Sequence, residues 1–230
     1  MNRAELLDDD LAEVAAELLC HDARFPGLDL EIRAIGRVLH VTGDVGTPAQ
    51  LAAARELLGR IGGVLAVWDR VRVAGRAPLA LDLGCGATRQ YPSNIGVDLR
   101  RTDAVAVQAD LGSPLPFCDG GADRIFAVHV LEHMADFLPL VDECHRVLRP
   151  GGILHIMSPW WRHVNAVADP THLRLFDVQT VKGICCRAGS DRRWYPLHVA
   201  RDDATVFADL TPLPRHAPPP DARRMARFFD

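Results

Sequence analysis

The stretch Leu79-Ala80-Leu81-Asp82-Leu83-Gly84-Cys85-Gly86 organises this chain of 230 residues. Its apolar run ends at an acid and then breaks into Gly-x-Gly, which predicts a buried parallel strand followed by a tight turn. Gly84 and Gly86 lack a Cβ atom, so the backbone can take a positive φ there and a ligand can approach it closely. We therefore expect a ligand at the end of this strand.

Two further strands are predicted to end in acids. Asn94-Ile95-Gly96-Val97-Asp98 is the second strand, and Ala104 to Ala109 is a third, followed by Asp110-Leu111. In nucleotide-binding α/β folds an acid at the end of the second strand binds the ribose hydroxyls. This order predicts an α/β fold that binds a ligand containing a nucleoside.

Two later segments add the most specific signal. Val128-His129-Val130-Leu131-Glu132-His133 follows a fourth predicted strand, and Arg146-Val147-Leu148-Arg149-Pro150-Gly151-Gly152 precedes a fifth, Ile153 to Met157. Together with the acid-ended strands, they resemble the small-molecule branch of the class I S-adenosylmethionine-dependent methyltransferases. The resemblance covers residues 79–157 and extends more loosely to residue 210.

The resemblance implies a Rossmann-like sheet with S-adenosylmethionine as cofactor. It implies that Asp98 binds the ribose, that Asp110 faces the adenine amino group, and that His129 borders the methyl group. The glycine turn would lie against the methionine portion. The implied cofactor-binding residues are Asp82, Gly84, Cys85, Gly86, Asp98, Leu99, Asp110, Leu111 and His129.

The first crossover between parallel strands is abbreviated. Only the eight residues 87–94 separate Gly86 from Ile95, and Pro92 is among them. A crossover between parallel strands ordinarily takes a dozen or more residues and usually contains a helix. We expect this helix to be truncated or absent, which leaves the methionine end of the cofactor to be covered by a neighbouring domain or a second copy of the chain.

The first part of the chain predicts a small α+β domain. Apolar positions at helical spacing predict a helix over residues 5–22 and another from Thr47-Pro48 to Gly62-Gly63. Residues that alternate in strand fashion predict three strands, over 28–35, 37–43 and 64–73. The last of these is expected to be a single strand with Val67, Asp69, Val71 and Val73 on one side.

This helix–strand–strand–helix–strand order resembles a BON domain over about residues 8–74. The likeness is carried by Val38–Val45, by the helix from Thr47 and by Gly63–Val71. BON domains are associated mainly with bacterial envelope proteins and with phospholipid contact. Because no export signal is visible near Met1, we expect a structural or docking role instead.

The chain is predicted to divide into three parts. These are a BON-like domain over residues 1–75, a methyltransferase domain over 76–211, and a proline-rich, basic tail over 212–230. The end of the tail is expected to be either a short helix that docks on a partner or a loose terminus. Helices are also predicted over 136–148 and 177–188, and a final antiparallel pair of strands over 194–199 and 204–210.

The loop over residues 158–176 is expected to face the methyl acceptor, since it follows the carboxyl end of a strand. His133, His163 and His172 are the candidate bases, because an ordinary imidazole pKa of ~6.5 suits a base at neutral pH. Asp169 could fix the tautomer of His172. Each histidine could instead be a packing residue. His163, Asp169 and His172 of the loop could together bind a metal, but their spacing is not that of a standard metal site, and no metal is predicted.

Composition excludes several classes of protein. Hydrophobic residues make up 48% and charged residues 24% of the chain, and the formal net charge of −4 argues against a nucleic-acid binder with a general basic surface. No apolar run approaches the ~20 residues of a membrane span. The six cysteines lack the spacing of a zinc site or a disulfide framework. We expect a cytoplasmic protein with reduced thiols.

Methyl transfer from a sulfonium ion is an in-line displacement, so the enzyme mainly aligns donor and acceptor. A hydroxyl acceptor of high pKa also needs a base. We expect a methyltransferase with a role in biosynthesis that acts on a small molecule, such as a sugar or secondary metabolite, at oxygen in preference to nitrogen. Two alternatives stay open: a peptide or protein substrate held by the sheet edge of the BON-like domain, and a catalytically silent cofactor-binding scaffold.

Overall fold

The computed structural model describes residues 3–215, 217 and 221–229, and the chain forms two units, Met1–Pro78 and Leu79–Asp230. The elements of the first unit are α1 (Arg3–His21), β1 (Asp29–Ile35), β2 (Val38–Val45), α2 (Pro48–Leu58), β3 (Ala66–Asp69) and β4 (Arg72–Val73). Strand β2 pairs antiparallel with β1 and parallel with both β3 and β4. The order up to α2 is the predicted one, while the BON assignment stays a prediction.

Helix α2 begins where the sequence places its cap. The side chain of Thr47 accepts from the N–H of Gln50 at 3.2 Å, and the Gln50 side chain accepts from the N–H of Thr47 at 3.1 Å. This reciprocal pair satisfies two backbone donors that the helix itself leaves unpaired. Leu51, Ala54 and Leu58 are buried in the core of the unit.

The single alternating strand predicted over residues 64–73 is wrong. The segment forms two short strands, β3 and β4, which pair with successive parts of β2. All four residues of β3 are buried, so the alternation of one buried and one exposed face does not apply. Asp69 is tolerated there because Nε of Arg55 donates to its Oδ2 at 2.6 Å.

The second unit is built on a seven-stranded mixed sheet. Its strands are β5 (Ala80–Leu83), β6 (Ile95–Asp98), β7 (Val105–Gln108), β8 (Ala122–Val128), β9 (Leu148–Pro159), β10 (Trp194–Arg201) and β11 (Thr205–Pro212). Its helices are α3 (Leu138–Val147), α4 (Val164–Ala168), α5 (Val178–Cys185) and α6 (Ala222–Phe229). The strand order is β10-β11-β9-β8-β5-β6-β7. Strands β5 to β9 pair in parallel, β11 pairs antiparallel with β9, and β10 pairs antiparallel with β11. This is the predicted α/β, Rossmann-like architecture.

The abbreviated first crossover is confirmed, since residues 84–94 form turns without a helix. The connections from β6 to β7 and from β7 to β8 also lack helices. Helices α3, α5 and α6 contribute to one apolar core with one face of the sheet, which includes Leu81, Ile125 and Leu154. On the opposite face Tyr91, from the first crossover, packs edge-on against Phe126 with 5.6 Å between ring centroids.

Helix α3 and strand β9 have other boundaries than the sequence predicts, and the strand follows the helix directly. The helix begins at Leu138, whose N–H donates to Oδ1 of Asp136 at 3.1 Å. Strand β9 begins at Leu148 instead of Ile153, since Leu148 already pairs with Ala122 of β8. The register then shifts at Gly151, whose φ of 77° lets the strand bulge without ending.

The end of the chain joins the core of the second unit. Met225 and Phe229 of α6 are buried in it, and Nε2 of Gln179 donates to the Phe229 carbonyl oxygen at 2.9 Å. Part of the predicted extended segment of the tail, residues 216 and 218–220, lies outside the described residues. Among the helices of the described ranges, none combines the length and apolar character needed to cross a membrane.

Candidate functional site

The glycine turn after β5 takes the predicted left-handed conformation. Gly84 has φ 61° and Gly86 has φ 55°, values that side chains with a Cβ rarely adopt. A Cβ on Gly84 would also lie 2.8 Å from a methyl group of Val130. Between them Cys85 is buried, and burial, reinforced by the nearby Asp82 and Asp98, raises the pKa of its thiol. The turn thus offers backbone groups, not a thiolate nucleophile.

Asp98 links the ends of the first two parallel strands. Its carboxylate accepts from the N–H of Gly86 and from the N–H of Arg100, both at 2.8 Å. The residue is 8% exposed, and its carboxylate keeps lone pairs beyond these two hydrogen bonds. The neighbouring Leu99 is 62% exposed and presents an apolar side chain beside it.

Asp82 holds the abbreviated crossover against the sheet. It is 2% exposed, and its Oδ2 accepts from the N–H of Gln90 and from Nδ2 of Asn94. Burial raises the pKa of its carboxyl to about 6, against the lowering effect of these hydrogen bonds. The role of Asp82 in this structure is therefore to anchor residues 87–94, which lets eight residues make the crossover.

Asp110 lies in an exposed turn after β7. Its carboxylate accepts from the N–H of Gly112 at 2.9 Å and from the hydroxyl of Ser113 at 3.3 Å. These bonds are those of an Asx turn, which fixes the backbone at this strand end. Leu111 is half-buried against the core. The predicted adenine contact remains a prediction for both residues.

His129 directly follows β8 and has a strained backbone conformation. Its φ of 54° is unusual for a residue with a side chain, and such strain is concentrated at functional sites. Its Nδ1 lies 3.1 Å from Oε1 of Glu132, and its side chain is 47% exposed. A carboxylate only accepts, so Nδ1 carries the proton of this hydrogen bond.

Glu132 is a buried carboxylate to which the sequence-based prediction gave no role. It is 1% exposed, and Ser158 donates to its Oε2 at 2.8 Å. Burial by itself would raise the pKa of this carboxyl, but the hydrogen bonds from His129, the backbone and Ser158 outweigh burial and lower the pKa. The signal available in the sequence was an acid directly after the apolar pair Val130-Leu131.

Three of the predicted catalytic residues lie together beside Glu132. The rings of His133 and His172 meet edge to face, with 4.7 Å between centroids. Thr171 donates its hydroxyl proton to Oδ1 of Asp169 at 2.6 Å, so this hydroxyl accepts from Nδ1 of His133 at 3.0 Å. Nδ1 of His172 faces the Ala166 carbonyl oxygen at 3.3 Å, and its Nε2 lies 3.8 Å from Oδ2 of Asp169. Both imidazoles therefore carry their proton on Nδ1 when neutral.

The fourth predicted catalytic residue, His163, has a different place. It caps helix α4, where its Nδ1 accepts from the N–H of Asn165 at 3.3 Å. It therefore satisfies a helix terminus, the packing alternative considered for each histidine. The Asp169 carboxylate accepts from the hydroxyl and the N–H of Thr171, and these two hydrogen bonds lower the pKa of Asp169.

The cofactor-binding and acceptor-facing candidates come from neighbouring strands. Strand β5 pairs on one side with β6, which ends at Asp98, and on the other with β8, which leads to His129 and Glu132. Since parallel strands place their carboxyl ends at one edge of a sheet, the glycine turn stands between the two sets. The arrangement can hold a nucleoside on one side of the turn and a second reactant on the other.

Comparison with known proteins identifies the central part of this unit. Residues 81–156 match the family described as Methyltransferase domain. An uncharacterized 37.1 kDa protein in transposon TN4556 of Streptomyces fradiae is 39% identical over 104 residues, which cover 36% of this chain and 30% of that protein. A "Probable S-adenosylmethionine-dependent methyltransferase" of Mycolicibacterium smegmatis is 42% identical over 45 residues, 20% of this chain and 18% of that protein.

The chain thus spans less than a third of the length of either of these curated relatives. Among solved structures, the S-adenosylmethionine-dependent methyltransferase of Mesorhizobium loti superposes with a TM-score of 0.44 at 15% identity, over 58% of this chain and 90% of that one. The family match includes Asp82, Asp98 and Glu132 and ends before the loop that carries His172. Residues 81–156 of this chain are therefore similar to a methyltransferase domain.

Proposed function

We propose that the protein transfers a methyl group from S-adenosylmethionine to a small-molecule acceptor. The observation that carries this proposal is the placement of two polar sets on either side of the Gly84–Gly86 turn. Asp98 and the turn are joined by the 2.8 Å hydrogen bond from Gly86. The His133–His172 pair follows the strand on the other side.

The cofactor is assigned to the side of Asp98. Its carboxylate would accept from the ribose hydroxyls, and the exposed Leu99 would lie against the adenine ring. The turn from Gly84 to Gly86 would follow the methionine portion, since backbone without side chains admits close approach. Asp110 and the N–H of Leu111 would face the adenine edge.

The acceptor is assigned to the side of the two histidines. His129 would border the methyl group, since its strained backbone directs it from the end of β8. Nε2 of His133 and of His172 keeps a lone pair, because the proton sits on Nδ1 in both rings. This set promotes loss of a proton from the acceptor, which favours a hydroxyl over an acceptor that is already nucleophilic. A sugar or a secondary metabolite provides such a hydroxyl.

A peptide or protein acceptor is the second candidate, and one observation favours it. Strand β1 of the first unit pairs only with β2 among the described strands, and its residues alternate between exposed and half-buried. An edge of this kind can add an extended peptide as a further strand. The first unit would then present the substrate.

Labelled S-adenosylmethionine incubated with extracts of the producing cell tests the proposal. We expect label in a small-molecule fraction with the native chain and none with Asp98→Ala. Label in a protein fraction would favour the second candidate. A chain that binds the cofactor and labels neither fraction would be a silent scaffold, and this outcome would overturn the proposed activity.

A further inference from the structure

We propose that Glu132, His133 and His172 bind one divalent transition-metal ion. One potential ligand atom from each residue lies within 4.8 Å of the other two. Ligands that share an ion at about 2.0–2.2 Å lie roughly 3–4 Å apart, so a small side-chain rotation closes the site. The sequence had suggested a different set, His163, Asp169 and His172. The structure keeps only His172 of these and adds Glu132 and His133.

The hydrogen bonds of the two imidazoles support the assignment independently of their proximity. Nδ1 of His133 lies 3.3 Å from the Thr171 carbonyl oxygen and 3.0 Å from its hydroxyl. Nδ1 of His172 lies 3.3 Å from the Ala166 carbonyl oxygen. Histidines that bind metals are characteristically held by such a bond from the other ring nitrogen, which fixes the tautomer and orients the lone pair.

The carboxylate is oriented in the same way. Glu132 is buried, and its two oxygens are held by Nδ1 of His129 at 3.1 Å and by the hydroxyl of Ser158 at 2.8 Å. A backbone hydrogen bond also reaches this carboxylate, and since a carboxylate offers about four acceptor sites, one is left for the ion. Its backbone carbonyl oxygen also accepts from the N–H groups of Leu173 and Arg174, at 2.7 and 3.0 Å. The loop that carries His172 is thereby tied to the turn that carries the other two ligands.

Two imidazoles and one carboxylate suit Zn²⁺, Co²⁺, Ni²⁺ or Fe²⁺, and three protein ligands leave positions open. On the proposed function, the acceptor hydroxyl takes an open position, and the ion lowers the pKa of that hydroxyl. The hydroxyl proton passes to water. The oxygen then bonds to the methyl carbon while the bond from carbon to sulfur breaks, and its electron pair stays on sulfur, giving S-adenosylhomocysteine. Only this catalytic role depends on the proposed function; metal binding does not.

The test measures metal binding directly. The full chain, without an affinity tag and stripped with a chelator, is titrated with Co²⁺ and followed by visible absorption, and with Zn²⁺ by calorimetry. We expect saturation at one ion per chain. His133→Ala and His172→Ala should each weaken binding by at least about tenfold. His163→Ala is the matched control on the same loop and should bind as the parent does.

His133 is exposed, so its replacement leaves the core intact and decides the result even if another variant fails to fold. Equal Co²⁺ binding in His133→Ala and the parent, or no ion bound by the parent, would overturn the proposal. S-adenosylhomocysteine binding is measured on the same samples. A chain that binds this nucleoside but no metal disproves the metal site alone, and one that binds metal but no nucleoside disproves the proposed function alone.

Discussion

Asp98 and Asp82, at the ends of neighbouring strands, have different hydrogen-bond partners. Asp98 accepts from two backbone N–H groups of the turns around it and keeps lone pairs for a ligand. Asp82 is more deeply buried, and its carboxylate accepts hydrogen bonds from Gln90 and Asn94 of the crossover. The resemblance to the methyltransferases grouped the two as cofactor residues. The hydrogen bonds identify Asp82 as an anchor of the crossover, while ligand binding by Asp98 stays a prediction.

The buried carboxyl of Asp82 makes stability depend on pH. Its pKa of about 6 lies above the ordinary value of 3.8, so the native state binds more protons than the unfolded chain between these values. Its contribution to stability is therefore complete below about pH 4 and falls as the pH rises to about 6. Asp82→Asn cannot ionise, and should gain up to about 3 kcal/mol relative to the parent between pH 4 and pH 7. Urea unfolding of both proteins across this range measures it; a pH-independent difference would contradict the assignment.

The histidine cluster predicts a separation of turnover from cofactor binding. His172→Ala should lower kcat by a factor of ~10²–10⁴ once an acceptor is known, because it removes a group that promotes proton loss. The affinity for S-adenosylhomocysteine should stay within twofold or so, since His172 lies on the acceptor side. His163→Ala, which removes only a helix cap, is the control for turnover. Equal kcat in parent and His172→Ala would return this residue to a packing role.

At the scale of elements, two glycines of the second unit predict opposite effects of the same substitution. A Cβ on Gly96 in β6 would lie 2.1 Å from the Ala104 carbonyl oxygen, a backbone atom that cannot move aside. Gly96→Ala should therefore destabilise the unit by about 1–3 kcal/mol or more. Gly183 in α5 has open space around its Cβ position, so Gly183→Ala should stabilise it by about 0.5–1 kcal/mol. Unfolding midpoints of the pair test this, and changes of the same sign would contradict it.

The elements followed from the sequence where one local signal decides them. Thr47-Pro48 marked the start of α2, and the short spacing from Gly86 to Ile95 predicted a truncated or absent first crossover helix. Prediction failed where tertiary pairing overrides the local pattern. Strand β9 starts at Leu148 because Ala122 of β8 lies beside it. In the site, the contact between His133 and Thr171 joins residues 38 positions apart, which no spacing rule reveals.

At the scale of the whole molecule, the first unit is predicted to be a working part of the enzyme. The linker Gly75-Arg76-Ala77-Pro78 is short, and three successive connections of the second unit lack helices. Helices α3, α5 and α6 share a core with one face of the sheet. We expect residues 76–230 alone to be less soluble or less stable, and to lose turnover more than cofactor binding. A truncated chain with full activity and the parent's Tm would show that the first unit is independent.

Calorimetric titration with S-adenosylmethionine and S-adenosylhomocysteine tests the central claim most directly. The parent should bind one molecule of either per chain. Asp98→Ala should weaken both by about a hundredfold or more, because two charge-assisted hydrogen bonds to the ribose contribute about 1.5–3 kcal/mol each. Asp103→Ala, which removes an exposed aspartate from the connection after β6, should bind as the parent does. No heat of binding in the parent, or equal affinity in Asp98→Ala, would contradict the account.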